Sequence, residues 1–255
     1  MATIAVSGKG GTGKTTISAF IIRWLCEKSS KSILAVDADA NVSLNEVLGI
    51  EIQQTVGAIR EEMRIKADTL PAGMTKQRFL EYKIQTSLVE TQNFDLIAMG
   101  RPEGPGCYCY ANNLLRDILS SISKNYEYVV IDNEAGMEHL SRRTVQEIDL
   151  LLIVSEPTVR GIQTAGKISR LIKELESRVK EKMLILNRVG DSLSESIKEA
   201  IKEEKLNLTQ LIPEDETLLY LDRQGKPVWD YLPNSPAYEA IDSLMKKIMK
   251  IFHKK

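Results

Sequence analysis

The 255-residue sequence predicts an α/β fold, a mostly parallel β-sheet flanked by helices on both faces. Three observations carry that expectation. Short apolar runs alternate with longer amphipathic stretches along the chain, the pattern of repeated βαβ units. Several runs are continuous in Val, Ile and Leu, as in Leu150-Leu151-Leu152-Ile153-Val154, which suits strands covered on both faces. The first run passes through a glycine-rich turn directly into a helix-forming stretch.

Taken in order, strands are expected at Thr3–Ser7, Ser32–Asp37, Phe94–Met99, Tyr128–Asp132, Leu150–Ser155, Met183–Asn187 and Leu208–Ile212. Helices are expected at Lys14–Lys28, Ala111–Ser123, Thr158–Leu175, Ser192–Glu203 and Pro236–Phe252. The last has Ser235 as an N-cap and Pro236 at its first position. Glu51–Thr91 differs in kind: it is strongly charged, lacks a strand signal and is broken by Leu70-Pro71-Ala72-Gly73. It reads as a helical excursion between two strands, either a specificity element or a solvated helical hairpin.

Length and composition bound the rest. There is no internal repeat or low-complexity tract, so residues 1–255 are expected to form a single domain, and a chain of this size buries roughly 70–75% of its unfolded surface. Lys and Arg number 34 against 35 Asp and Glu, a net charge of −1. That balance excludes a broad electrostatic nucleic-acid binder. No apolar run approaches the ~20 residues needed to cross a bilayer. The chain enters a strand at once, so no signal peptide is expected. Three cysteines cannot staple a chain this long, and a cytoplasmic location follows as the expectation.

The strongest chemical signal is Gly8-Lys9-Gly10-Gly11-Thr12-Gly13-Lys14-Thr15-Thr16, between the first strand and the first helix. It fits the P-loop pattern, in which glycines let successive backbone N–H groups turn inward as an anion cradle. The helix dipole adds to the cradle, Lys14 reaches the terminal phosphates and the Thr15 hydroxyl is placed for Mg²⁺. Gly8, Gly10 and Gly13 also satisfy the weaker dinucleotide pattern, with Asp37 where a ribose-binding acid would sit. Against it, Lys14-Thr15-Thr16 has no task at a dinucleotide pyrophosphate, and a second apolar strand ends in a carboxylate, Asp132. A nucleoside triphosphate is the expected ligand.

Lys9, a second lysine early in the loop, is not needed by an ordinary P-loop. With it the sequence resembles the deviant P-loop ATPases of the partition, septum-site and nitrogenase iron-protein superfamily. The resemblance implies that Lys9 reaches across a homodimer interface to the partner's nucleotide. Val36-Asp37-Ala38-Asp39-Ala40-Asn41 resembles the first switch, with Asp39 positioning the attacking water and Asp37 near the Mg²⁺ shell. Ala40 departs from the proline that many relatives carry. Val129-Val130-Ile131-Asp132-Asn133-Glu134-Ala135-Gly136 resembles the second switch, Asp132 holding a Mg²⁺-bound water and Gly136 offering its N–H to the γ-phosphate. Asn187-Arg188 and Ile212-Pro213-Glu214-Asp215 resemble the adenine-recognition segments. An Asn amide can donate to and accept from the adenine edge, which favours ATP over GTP. The implied reaction is phosphoryl transfer to water, a slow regulatory hydrolysis that times dimer closing and opening.

Gly104-Pro105-Gly106-Cys107-Tyr108-Cys109 follows the third strand. In an extended segment residues i and i+2 face one side, so both thiols can point together. The pair suits half of a sulfur metal site, two buried spectator thiols or a strained disulfide. A two-fold axis through a loop at about 104–110 would complete a four-thiolate site. Cys26, on an apolar helical stretch, reads as ordinary core. Cys107 and Cys109, with Asp132-Asn133-Glu134-Ala135-Gly136-Met137-Glu138-His139-Leu140, are similar to the nickel-insertion accessory ATPases of carbon monoxide dehydrogenase and acetyl-CoA synthase. That resemblance implies Ni²⁺, or Zn²⁺ in its place, at a dimer-interface Cys₄ site, and delivery of nickel to an apo-enzyme client. His139 reads better as a satisfied histidine near a helix start than as a ligand.

Two rival functions belong beside this one. A positioning or partition ATPase would use the C-terminal stripe Ile241, Leu244, Met245, Ile248, Met249 and Phe252, flanked by lysines, as a membrane-surface helix. The same stripe suits a helix packed on the sheet, and membrane contact is the weaker expectation. An iron–sulfur electron-transfer protein ranks third, because its cluster cysteines are widely separated in sequence whereas these are two residues apart.

Overall fold

In the computed structural model the described residues are 1–65, 75–100, 120–134, 147–174, 178–229 and 235–253. The elements among them, in chain order, are β1 Ala2–Gly8, α1 Lys14–Lys28, β2 Ile33–Ala38, α2 Leu44–Leu48, α3 Val56–Ile65, α4 Lys76–Thr86, β3 Val89–Glu90, β4 Asp95–Ala98, β5 Tyr128–Asn133 and β6 Glu147–Ser155. They continue with α5 Val159–Glu174, β7 Arg178–Val189, α6 Glu195–Glu203, β8 Leu208–Pro213, α7 Glu216–Arg223 and α8 Pro236–Phe252.

The strands form one sheet in the order β3-β4-β2-β5-β1-β6-β7-β8. Every neighbouring pair is parallel except β3 with β4. The register sets Val6 of β1 beside Asp132 of β5, and Asp37 of β2 beside the same Asp132. The carboxyl ends of three central strands therefore meet at one point, where ligands bind in open α/β sheets.

Two core layers lie on the two faces. Ile4, Val6, Leu150 and Leu152 join residues of α1, α2, α7 and α8 on one face. Ala5, Val36, Ile131 and Ile153 join α3, α4, α5 and α6 on the other. The strands alternate between the layers because successive side chains point to opposite faces. Burying a side chain such as Phe20 or Leu34, each at most 1% exposed, contributes about 1.5–3 kcal/mol.

The sequence reading is met along most of the sheet and departs at β7, at β3 and in two short helices. β7 runs Arg178–Val189, well beyond Met183–Asn187, because its partner β6 is also long and pairs with it from Glu147 onward. The Glu51–Thr91 stretch folds as the helical hairpin α3–α4 but ends in β3, a two-residue antiparallel edge strand too short to leave a periodic signal. The helices α2 and α7 had no place in the sequence reading, being only five and eight residues long. Helix Ala111–Ser123 lies outside the described residues except for 120–123. The Ser235 cap is present: its hydroxyl oxygen accepts from the Tyr238 N–H, with Pro236 beginning the helix. In α8 the residues Ile241, Leu244, Met245 and Ile248 are each 0% exposed, so the stripe packs on the sheet.

Candidate functional site

β1 ends at Gly8 and α1 begins at Lys14, and the loop between them sits at the carboxyl ends of the central strands. A Cβ on Gly8 would lie 2.2 Å from the Val154 carbonyl oxygen, so a glycine is needed where β1 turns beside β6. Gly13, with φ of 86°, is the N-cap of α1 and offers no side chain to its first turn. Those N–H groups and the positive end of the helix dipole are thus presented to an anion. The loop is cross-braced at one carbonyl. Lys9 O accepts from the Thr12 hydroxyl at 2.9 Å and from Lys14 Nζ at 3.2 Å. The Lys9 side chain, Gly10 and Gly11 face solvent, whereas Thr12 and Lys14 are buried. Burial pushes the Lys14 ammonium below its ordinary pKa, and the charges of Asp132, Asp39 and Glu134 oppose that shift.

Beside the loop lies a corner of oxygen atoms. Asp132 is 1% exposed and its Oδ1 accepts from the Ser18 hydroxyl at 3.1 Å. Burial holds Asp132 up at about 7, helped by the charge of Asp37, while Thr15, Ser18 and Lys14 pull it down. The Thr15 hydroxyl is 3.4 Å from that of Ser43. Thr15, Ser43 and Asp132 form an all-oxygen donor set, which fits hard Mg²⁺ and not a soft thiophilic metal. Held here by these oxygens, Mg²⁺ would neutralise charge on a bound phosphate.

Asp37 does something different. Its Oδ1 accepts from the Asp39 N–H at 3.0 Å and its Oδ2 from the Leu44 N–H at 2.8 Å. Fully buried, it is raised above the usual carboxylate range by desolvation, and those two N–H groups counteract the shift. Asp37 therefore pins both ends of the 39–44 loop. Within the loop, half-buried Asp39 accepts from the Asn41 N–H at 2.8 Å. Val42 has φ of 52°, a left-handed conformation that costs a β-branched residue about 1–3 kcal/mol.

Beside the first turns of α1 opens a cleft of about 260 Å³. Gly11, Gly13, Lys14, Thr15 and Thr16 of the P-loop line it together with Asn187, Arg188, Pro213, Glu214 and Asp215. The structure brings these distant segments together because β7 and β8 end next to one another. Asn187 Nδ2 donates to the Thr12 carbonyl at 2.8 Å. That leaves Oδ1 as an acceptor and the second N–H as a donor, so the amide can both accept from and donate to a base edge. Arg188, with φ of 56°, donates to the Gly11 carbonyl at 3.1 Å and lies 3.6 Å from Glu156. Asp215 lines the cleft, but its carboxylate caps α7 through the Thr217 and Leu218 N–H groups and accepts from Ser235 at 2.7 Å.

Sequence reasoning missed Ser43 at the oxygen corner, and Phe20, Leu218, Leu219 and Asp222 in the cleft. Asp215 as a cap followed by Leu218, Leu219 and Asp222 at helical spacing was a signal that could have found α7. Gly136, Cys107, Cys109, the 104–110 loop and His139 lie outside the described residues. Among the described residues no group of three or more His, Cys, Asp or Glu is arranged to hold a metal ion. Cys26 is half-buried with its thiol pushed up to about 12 by burial, which makes it inert.

The comparisons agree with this geometry. Residues 3–228 match the family described as CobQ/CobB/MinD/ParA nucleotide binding domain. The chain is 45% identical to an uncharacterised ATP-binding protein of Methanocaldococcus jannaschii, over 96% of this chain and 98% of that one. It is 30% identical to the carbon monoxide dehydrogenase accessory protein CooC of Rhodospirillum rubrum, over 96% and 97%. Among solved structures it resembles the septum site-determining protein MinD of Pyrococcus horikoshii complexed with Mg-ADP, with TM-score 0.70, 23% identity and coverage of 98% and 96%.

Proposed function

The chain belongs to the CobQ/CobB/MinD/ParA nucleotide-binding family, and from that premise we propose that it is a metallochaperone ATPase. It works as a homodimer that carries Ni²⁺, with Zn²⁺ able to take its place, between the paired Cys107 and Cys109 thiolates of two subunits. ATP hydrolysis drives closing and opening of the dimer and release of nickel to apo carbon monoxide dehydrogenase or acetyl-CoA synthase. The observation that carries this reading is the Cys107-Tyr108-Cys109 pair, present in a chain 30% identical to a carbon monoxide dehydrogenase accessory protein.

The residues divide the reaction between them. The P-loop N–H groups and Lys14 hold the β- and γ-phosphates, Thr15 and Asp132 would hold Mg²⁺, and Asp37 anchors the loop that carries Asp39. Asp39 orients the attacking water, whose oxygen bonds to the γ-phosphorus as the bond to the β–γ bridging oxygen breaks. The water proton ends on inorganic phosphate. Gly136 supplies an N–H to the transferred group, and Lys9 of the partner subunit adds positive charge there. Asn187, with Arg188, Pro213 and Glu214, selects adenine.

A second reading, a nucleotide switch that binds a membrane or partner surface, is favoured by the MinD-like fold. Against its membrane form stands α8, whose apolar stripe is buried in the core. No described helix is long and apolar enough to cross a membrane.

Anaerobic equilibrium dialysis with Ni²⁺ and Zn²⁺, with and without ADP or ATP, separates the readings when light scattering gives the mass of the same samples. One metal per dimer is expected, lost in a Cys107→Ala/Cys109→Ala variant that still binds nucleotide. Metal binding indifferent to the cysteines would discard the metallochaperone and leave the surface switch.

A further inference from the structure

One face of α1 runs into the phosphate corner. Lys14, Thr15 and Ser18 share it, because residues three and four apart on a helix are neighbours. Lys14 and Thr15 belong to the P-loop motif, whereas Ser18 lies outside it. Its surroundings in the helix are apolar. Ile17, Ala19, Phe20, Ile21 and Ile22 are each at most 2% exposed, and Ser18 itself is 0% exposed. A hydroxyl buried so completely needs a partner. The partner is Asp132 of β5, whose Oδ1 accepts from Ser18 at 3.1 Å. Serine is also a poorer helix former than alanine, so neither local preference nor apolar packing selects it here. The carboxylate does.

Asp132 differs from its neighbour Asp37 in what fixes its oxygens. Both oxygens of Asp37 accept from backbone N–H groups, those of Asp39 and Leu44, so the path of the chain holds that carboxylate. Asp132 is clamped through its backbone instead. β5 pairs there with Val6 of β1 and Asp37 of β2. The next residue, Asn133, donates Nδ2 to the Val6 carbonyl at 2.9 Å. The Asp132 side chain keeps its own torsions, and Ser18 reaches from another element to fix them. An ionised carboxylate has two accepting oxygens. With Oδ1 engaged by Ser18, Oδ2 is left for the corner where the Thr15 and Ser43 hydroxyls stand 3.4 Å apart.

We infer that Ser18 is a positioning residue of the cation site: by holding Oδ1 it aims Oδ2 of Asp132 at the Mg²⁺ that accompanies the nucleotide. Ser18 acts through Asp132, as a group bonded to a metal ligand orients that ligand and sets its affinity. The inference deepens the ATPase reading above and rests on it.

The test measures binding and not turnover. ADP is titrated by calorimetry into the full-length chain in EDTA and again with Mg²⁺. Mn²⁺, which suits the same oxygen donors, is then added to the stoichiometric complex of chain and ADP, and the free ion is read by electron paramagnetic resonance. In Ser18→Ala the affinity for Mn²⁺ should fall about tenfold, the low end for loss of a group that orients a metal ligand. The gain in ADP affinity that Mg²⁺ brings should shrink by a similar factor, while ADP affinity in EDTA should match wild type. Ser18→Cys keeps the shape with a weaker donor and should lie between the two. It carries the same comparison if the alanine variant does not fold. Unchanged Mn²⁺ affinity in the variants overturns the inference. So does a loss of ADP affinity that is equal with and without metal, which a merely structural serine would give. The failures are distinguishable in the wild-type chain. No binding of ADP sinks the ATPase reading, and ADP binding that gains nothing from Mg²⁺ sinks the cation site and this inference with it. Binding of both that is indifferent to residue 18 sinks only the role of Ser18.

Discussion

The phosphate corner and the base cleft meet at the first turn of α1, where Lys14 and Thr15 border both, and are built by different means. The corner is made of buried charge and backbone. Lys14, Asp37 and Asp132 are each less than one-tenth exposed, and each is held by hydrogen bonds to loop carbonyls, loop amides or hydroxyls. The cleft has apolar walls, Phe20 and Leu218 among them, and a few orienting polar groups. The lesson is a division of labour. The corner gathers buried charge suited to a phosphate and its cation, whereas the cleft supplies shape and the remaining hydrogen-bonding capacity of the Asn187 amide. Asn187 is the hinge between them, because its amide bonds to the P-loop while its oxygen remains for the ligand.

Three substitutions would break or sharpen this contrast. Lys14→Ala should have the largest effect, a loss of about 10²–10³-fold in phosphate release, as removal of one preorganised charge stabiliser gives. Equilibrium binding of adenosine to the cleft should stay near wild type. Comparable losses in both assays would mean that the two regions are not separable.

Gly13→Ala should strike both at once. A Cβ there would sit 2.3 Å from Asn187 Nδ2, at a φ of 86° that side chains rarely adopt. Displacing Asn187 should cost about 1–3 kcal/mol in ADP affinity and reduce the preference for ADP over GDP, measured by calorimetry with each nucleotide. A loss of affinity with discrimination intact would show that the hinge role of Asn187 is wrong.

Asp132→Asn should be the smallest and is read as a pH effect on stability in metal-free buffer. Asp132 ionises at about 7 in the folded chain against a reference of 3.8. Between those values the folded state holds the proton that the unfolded state has released, so wild-type stability falls as pH rises from about 4 to about 7. The asparagine variant lacks that component and should melt a few degrees above wild type at pH 8 and level with it near pH 4. A thermal difference independent of pH would mean that burial is not what raises Asp132.

Much of this was legible in residues taken in order, because much of it is local. Gly8 through Thr16 form one contiguous motif, and Asp37 and Asp132 end apolar runs that any reading of periodicity finds. The cleft was legible in part. Asn187, Arg188 and Pro213 through Asp215 follow strand ends, but Phe20, Leu218 and Leu219 carry only the spacing of ordinary helix core. Ser43 carried no signal, since it meets Thr15 only because Asp37 draws Leu44 back over the loop. β3 was hidden for the same kind of reason: a two-residue antiparallel strand is defined by its neighbour β4 and not by its own pattern.

By itself, then, the sequence determined the alternation of strands and helices, the anion-binding loop and which carboxylates end the central strands. Those features follow from backbone sterics, side-chain periodicity and the hydrogen-bonding capacity of neighbouring residues. Only the tertiary structure decided that Asp215 serves as a cap, that Asp37 holds a loop by its amides, and that the α8 stripe faces the sheet. It also set the Ser18 hydroxyl against Asp132. Each of these depends on contacts between residues far apart in the chain, and such contacts are chosen by the packing of the whole sheet and not by any local preference.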